Sequence, residues 1–294
     1  MNPGQLMSIN ASRLKQLSII FCATIGNIFK TLGSLRRFAY FLLVIGASSS
    51  VSVWAQSSTI QTIPQVDNNW RFVVAPYLWL TKVSGSVYYG GSEIGSSTIS
   101  AGNILSHLNF GGMVELEAHK GDFGVIADII YASLGNTASK PVGPRVNAAA
   151  DTTVTQLVYT VAATYTVAKS SDLYTELLLG GRVVQLDSKT KFSINGETPR
   201  DMAVSTSTTI ADPVVGLKGR VRISDSDWFI PFYADVGGGG SSQVTTMAFV
   251  GIGRAFEWGD AVFGVKNLYF QQKNQGITTN TDLFGVALGV GFRF

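Results

Sequence analysis

Thiols, imidazoles and long apolar runs are nearly missing from this chain of 294 residues. It has one cysteine, Cys22, and two histidines, His107 and His119. Cys22 falls in a segment expected to be cleaved off, so the remaining chain has no thiol. Disulfides, thiolate metal sites and cysteine catalysis are therefore excluded. Phe21 is too large for the position before a lipidated cysteine. Two isolated histidines give no metal-ligand spacing and no Ser/His/acid set, so neither metal ligands nor catalytic residues are assigned and no cofactor is expected. No stretch of residues 56–294 approaches the ~18–20 apolar residues of a membrane helix. Helical membrane spans are excluded, but strand-built spans are not, because there the apolar residues occupy only every second position.

Charged residues make up 14% of the chain, and the formal net charge is +3. That excess belongs to the N-terminus. Residues 1–55 contain Arg13, Lys15, Lys30, Arg36 and Arg37 and no acid, which leaves 17 basic against 19 acidic residues. Nucleic-acid binding has no support. Arg36-Arg37, the apolar stretch 38–46 and Val53-Trp54-Ala55 have the order of a secretory signal, with cleavage between Ala55 and Gln56. Two accounts of the preceding residues stand: a true start near Leu35, or a second apolar stretch over 17–29. Residues 56–69 read as a polar periplasmic leader and 70–294 as the folded domain.

The C-terminal run Leu283-Phe-Gly-Val-Ala-Leu-Gly-Val-Gly-Phe-Arg-Phe294 is the strongest signal. Phe284, Val286, Leu288, Val290, Phe292 and Phe294 share one face of a strand, and Gly285, Ala287, Gly289, Gly291 and Arg293 share the other. Large apolar residues opposite glycine suit lipid outside and a crowded lumen inside. A chain ending on the aromatic residue of such a strand is similar to the terminal assembly signal of bacterial outer-membrane barrels, here Phe292 and Phe294. The likeness implies outer-membrane lipid and the assembly machinery as partners.

Ten strand-like segments follow Trp70, at about 70–84, 107–119, 122–135, 153–168, 172–187, 208–223, 227–238, 243–256, 260–271 and 282–294. Short turns alternate with longer loops (85–106, 136–152, 188–207 and 272–281), apart from a short Gly237–Ser242 connection. Both chain ends fall on the short-turn side, which is periplasmic in an outer-membrane barrel. The expected fold is all-β: a closed antiparallel up-and-down transmembrane barrel of ten strands, with eight or twelve as alternatives. Residues 85–100 hold a further hairpin or extend the flanking strands, and 104–108 can form a helical turn. Pro76 and Pro231 each cost a ladder hydrogen bond, so bulges are expected at both.

With these pieces placed, the chain resembles a family of uncharacterised, small, porin-like outer-membrane barrels of Gram-negative bacteria. The resemblance runs from Trp70 to Phe294. It rests on Trp70-x-Phe72-x-x-x-Pro76-Tyr77-Leu78-Trp79, Glu115-x-Glu117-Ala118, Asp128-x-x-Tyr131, Gly180-Gly181-Arg182, Asp212-Pro213-Val214-Val215-Gly216-Leu217 and Asp235-Val236-Gly237-Gly238. Lys266-Asn267 departs from it, since the family has Arg followed by an aromatic there. The resemblance implies fold and location and no mechanism.

Charge falls on one face of nearly every strand, and that face is assigned to the lumen. It carries Glu115, Glu117, Asp128, Glu176, Asp212 and Asp235 with Arg71, Arg182, Lys218, Arg220, Arg222, Lys266 and Arg293. Two readings follow: an ion-pair plug in a structural barrel, or a narrow conduit for small solutes. An enzyme is the competing class, an outer-rim hydrolase or lipid-modifying barrel using His107 with loop acids such as Asp151 or Asp187. A third reading, a soluble ligand-binding barrel, requires the apolar faces to point inward.

Overall fold

A computed structural model describes residues 60–143, 146–195, 200–274 and 276–294. The signal segment, its Ala55-Gln56 junction and Cys22 lie outside the described residues, and the leader enters at Ile60. The elements are β1 Trp70–Tyr89, β2 Ser92–Ile99, α1 Ala101–Ser106, β3 Leu108–Lys120, β4 Phe123–Gly143, β5 Val146–Lys169, β6 Leu173–Asn195, β7 Arg200–Arg222, β8 Trp228–Gly237, β9 Val244–Phe256, β10 Gly259–Asn274 and β11 Ile277–Arg293.

β1 and β3 through β11 pair antiparallel in order, and β11 returns to β1, so ten strands close into a barrel. β2 is an eleventh strand outside that ring. It hangs on the far half of β1 through pairs such as Val83 with Ile99. Over the apolar band, closure gives each strand a partner on both sides, which a lipid environment demands.

A single register sorts the residues. Leu78 pairs with Leu288 and Trp79 with Ala287. Leu78 is 52% exposed and Leu288 57%, whereas Trp79 is 4% exposed. Because side chains alternate, fixing one rung fixes the whole strand. Phe123, Val125, Val161, Leu177, Leu179, Val215, Ile230, Val250, Phe263 and Phe292 all lie on the exposed outer surface, while Glu176, Arg182 and Asp235 are buried inside. A soluble barrel has the opposite arrangement, so that third reading falls, and the outer surface is that of a membrane-spanning barrel.

Aromatic rings gather at the short-turn end. Trp70 stacks on Phe72, Phe123 meets Tyr165 edge-on, and Phe256 stacks on Trp258. Arg254 lies on the exposed face at this rim, with its guanidinium 5.8 Å from the Trp228 ring centre and 5.2 Å from that of Phe256. Such a belt suits a membrane interface, where a long cationic side chain reaches out of the apolar layer.

Two sequence expectations are corrected. Pro76 pairs with Val114 and Pro231 with Arg220 without any register shift. On their other sides the ladder lapses and resumes in the same register. The missing N–H is therefore accommodated by skipping a rung. Shifts occur instead at Val87/Tyr88, Leu108/Phe110, Pro141/Gly143 and Thr166/Ala168. The long segments 136–152 and 188–207, read as loops, are largely strand. β4, β5, β6 and β7 run for 21, 24, 23 and 23 residues, against the ~9–11 needed to cross a bilayer. Their Thr and Val residues favour strand but lack the apolar outer row that marked the membrane part. On β6 the outer row changes from Leu177, Leu179 and Val183 to Gln185, Asp187, Lys189 and Lys191. The far halves of β4–β7 thus form a four-stranded sheet standing beyond the apolar band.

Gly180 permits one close strand approach. A Cβ there would lie 2.0 Å from the Val161 carbonyl oxygen.

Candidate functional site

Inward residues make three layers, beginning at the short-turn end. The first is a strap. Arg293 donates to the Gln61 carbonyl at 2.6 Å, Arg220 to that of Thr62 at 3.4 Å and Arg71 to that of Gln65 at 2.5 Å. Thr62 is buried and donates to the Ser226 carbonyl, and the Gly121 N–H donates to the Asp67 carbonyl at 2.8 Å. Three cations from three strands thereby hold the leader across the mouth of the barrel. Arg220 and Arg293 also share Asp260, a lumen acid that the sequence inventory missed because it directly follows a turn.

The second layer is ionic. Lys218 Nζ lies 2.9 Å from Glu115 Oε1 and 2.6 Å from Glu117 Oε1. Lys266 Nζ lies 2.7 Å from Asp128 Oδ2 and donates at 2.7 Å to the Tyr77 hydroxyl, which itself donates to Asp128 Oδ1 at 2.7 Å. Arg182 pairs with Asp235 and donates to the hydroxyls of Thr160 and Thr245. Asp235 also accepts from the Tyr233 hydroxyl at 2.5 Å and from the Met247 N–H at 3.0 Å. With its carboxylate and guanidinium so fully used, this buried pair has few polar atoms left unpaired.

The third layer is apolar and was not foreseen. Trp79, Ile130, Val158, Val184, Ile210, Met247, Leu268, Leu283 and Ala287 form one buried cluster, joined by Tyr77, Val83, Met113, Tyr233, Phe249 and Phe270. All ten barrel strands contribute to it. Each strand supplies one to three such residues among polar ones, so no local sequence pattern marks the layer. Between it and the strap lies a cavity of about 200 Å³, lined by Tyr77, Phe229, Phe232, Tyr233 and Phe249 with Lys218, Arg220 and Glu117.

The remaining predicted residues fall elsewhere. Arg222 donates to the Ser226 carbonyl at 2.8 Å and braces the β7–β8 turn. Asp212, one inward position short of Ile210 on β7, accepts from the Gly240 and Ser242 N–H groups and the Ser242 hydroxyl, pinning the connection that follows β8. Phe292 and Phe294 are exposed on the outer face, and the backbone of Phe294 pairs with that of Phe72. His119 is buried, its Nε2 2.9 Å from Glu176 Oε1 and its Nδ1 3.7 Å from Glu117 Oε2. Among the described residues Glu117, His119 and Glu176 form a group with metal-ligand atoms. The two ring nitrogens address different carboxylates, however, and Lys218 already neutralises Glu117. The arrangement is that of an imidazole held by Glu176, with Glu117 near its other nitrogen but not hydrogen-bonded to it. His107 caps α1, with Nδ1 2.9 Å from the Asn103 carbonyl and from the Ser106 hydroxyl.

No protein-family model matches the chain, and no curated protein matches it. Solved structures with a similar fold include the outer membrane protease OmpT from Escherichia coli, at 12% identity and TM-score 0.47, covering 77% of this chain and 97% of that one. Ail, the attachment invasion locus protein of Yersinia pestis, is 13% identical at TM-score 0.30, covering 76% and 98%. The toluene transporter TodX of P. putida is 8% identical at TM-score 0.25, covering 78% and 91%.

Proposed function

We propose that this protein is a closed, non-conducting barrel of the bacterial outer membrane, with its short turns and both termini in the periplasm and its long strand extensions outside. The observation that carries the reading is the apolar layer drawn from all ten strands. Water crossing it would lose hydrogen bonds that Ile210, Leu268 and Leu283 cannot replace, and apolar cavities of this kind stay dry. The cross-lumen ion pairs then act as struts, and the strap closes the periplasmic mouth. The secretory signal expected over residues 1–55 and the short turns at the end where the leader enters and the chain finishes support the orientation.

The reading as a hydrolase rests on His107 with Asp151 or Asp187, but Asp151 accepts from the Thr137 hydroxyl and Asp187 lies on the outer row of β6. The Nδ1 of His107 is engaged at the end of α1, which suits a structural cap better than a general base. We assign no catalytic residue. Planar-bilayer recording of refolded residues 56–294 tests the proposal. Insertion without stepwise conductance is expected, and a steady open-channel current from the wild-type chain would overturn it.

A further inference from the structure

We propose that the outer half of β7 is a docking edge that takes an extended polypeptide segment of a partner protein as an added β-strand. The inference does not depend on whether the lumen conducts. β7 pairs with β6 along almost its whole length, from Arg200 to Val221. Its other side pairs with β8 only from Val214 to Arg222, because β8 is 10 residues long. Among the described residues, nothing pairs with β7 on that side over 201–209.

The direction of the unpaired groups follows from parity. The Ala211 N–H donates to the Ser241 hydroxyl, the Ala211 carbonyl accepts from the Ser241 N–H, and the Pro213 carbonyl accepts from the Gly238 N–H. Odd residues of β7 therefore aim their backbone groups away from β6. Asp201, Ala203, Ser205, Ser207 and Thr209 continue that row with no strand to receive it, and residues 201–209 are exposed throughout. Donors and acceptors repeating every second residue fit another strand and little else.

The usual protections of an edge are missing here. Charges, prolines, bulges and short length keep edges from pairing. Residues 202–211, Met-Ala-Val-Ser-Thr-Ser-Thr-Thr-Ile-Ala, have no charge, proline or glycine. The opposite edge of the same sheet, on β4, carries Lys140, Pro141 and a register shift. The β2 edge is short, with Glu93 and a shift in its pairing. One face beside the β7 edge is also apolar and open: Met202 is 61% exposed, Val204 51% and Phe192 40%. Phe192 pairs with Met202 across the ladder, so these side chains form one patch that an added strand would extend. The fitting partner segment alternates apolar residues on that side with small polar ones on the other.

Two other occupants fit badly. The protein's own N-terminal residues enter at the strap, on the far side of the apolar band. Two copies in one membrane are related by an axis along the membrane normal. Their β7 strands would then run the same way and cross at roughly twice the strand tilt, about 70–90°, which forbids a ladder.

The test uses the folded mature chain, residues 56–294, which lacks Cys22, in detergent micelles and a fluorescent ten-residue peptide of alternating Thr and Val, flanked by lysines. Saturable binding at micromolar concentration is expected. A peptide N-methylated at alternate residues should lose it. Ser205→Pro and Ser207→Pro remove donors only on the vacant side, so both variants should keep the heat-resistant folded band on gels yet bind at least tenfold more weakly. Thr153→Pro on β5, within the same sheet but away from the edge, checks that loss does not follow from general damage to the sheet. Absence of binding up to 1 mM, binding indifferent to both prolines, or Ser205→Cys copies that cross-link to one another in vesicles would overturn the proposal.

Discussion

Lys218 on β7 and Glu117 on β3 meet across the lumen with Nζ and Oε1 2.6 Å apart, although three strands separate them on the shorter path around the ring. Lys266 on β10 and Asp128 on β4 are also three strands apart around the ring. These contacts tie together walls that hydrogen-bonded ladders connect only step by step.

Lys218→Met should therefore destabilise the barrel strongly, because Glu115 and Glu117 are left without their cation. Removing one partner of a buried pair costs about 3–5 kcal/mol. Urea unfolding in detergent micelles checks it, and adding Glu117→Gln to the same chain should return part of the loss. Equal stability of Lys218→Met and wild type would remove the struts from the account.

The apolar layer makes a second prediction. Trp79→Ala deletes its largest ring and should cost about 3–5 kcal/mol. Combined with Ile210→Ala, it should produce bilayer conductance where the wild type has none. A double variant that folds and stays silent would show that closure lies elsewhere.

The strap can be probed with a reporter thiol, since residues 56–294 contain no cysteine. Val262 lines the cavity. Val262→Cys should react slowly with a charged thiol reagent added from the short-turn side, and at least tenfold faster when residues 60–66 are deleted. Equal rates would mean that the strap does not limit access.

Outer-face position sets the fourth expectation. Leu288→Arg places a cation near the middle of the apolar band and should cost ~2–4 kcal/mol. Thr153→Arg, on the outer row of β5 beyond that band, should be nearly neutral. Folding yield into lipid vesicles measures both, and equal penalties would contradict the assigned limits of the band.

Much of the wall was legible in the sequence. Leu283 to Phe294 alternates so strictly that the outward positions of Leu288 and Phe292 could be read from one strand alone. Lys218, Arg220 and Asp128 were assignable to the opposite face for the same reason. The extra length of β4–β7 was hidden because Thr137, Ser205 and Ser207 resemble loop residues once no apolar row accompanies them. Asp260 was hidden behind its turn.

Period-two alternation is a local property, so the chain alone determined that strands form, which side of each is oily and that a closed ring is needed to satisfy their backbones. Partnership across the lumen is not local. Which cation reaches which acid, how Trp79, Ile210 and Leu268 come to one height, and why β8 stops short and leaves β7 open all depend on strand stagger and tilt. Closure of the whole ring sets those quantities, and no single segment encodes them.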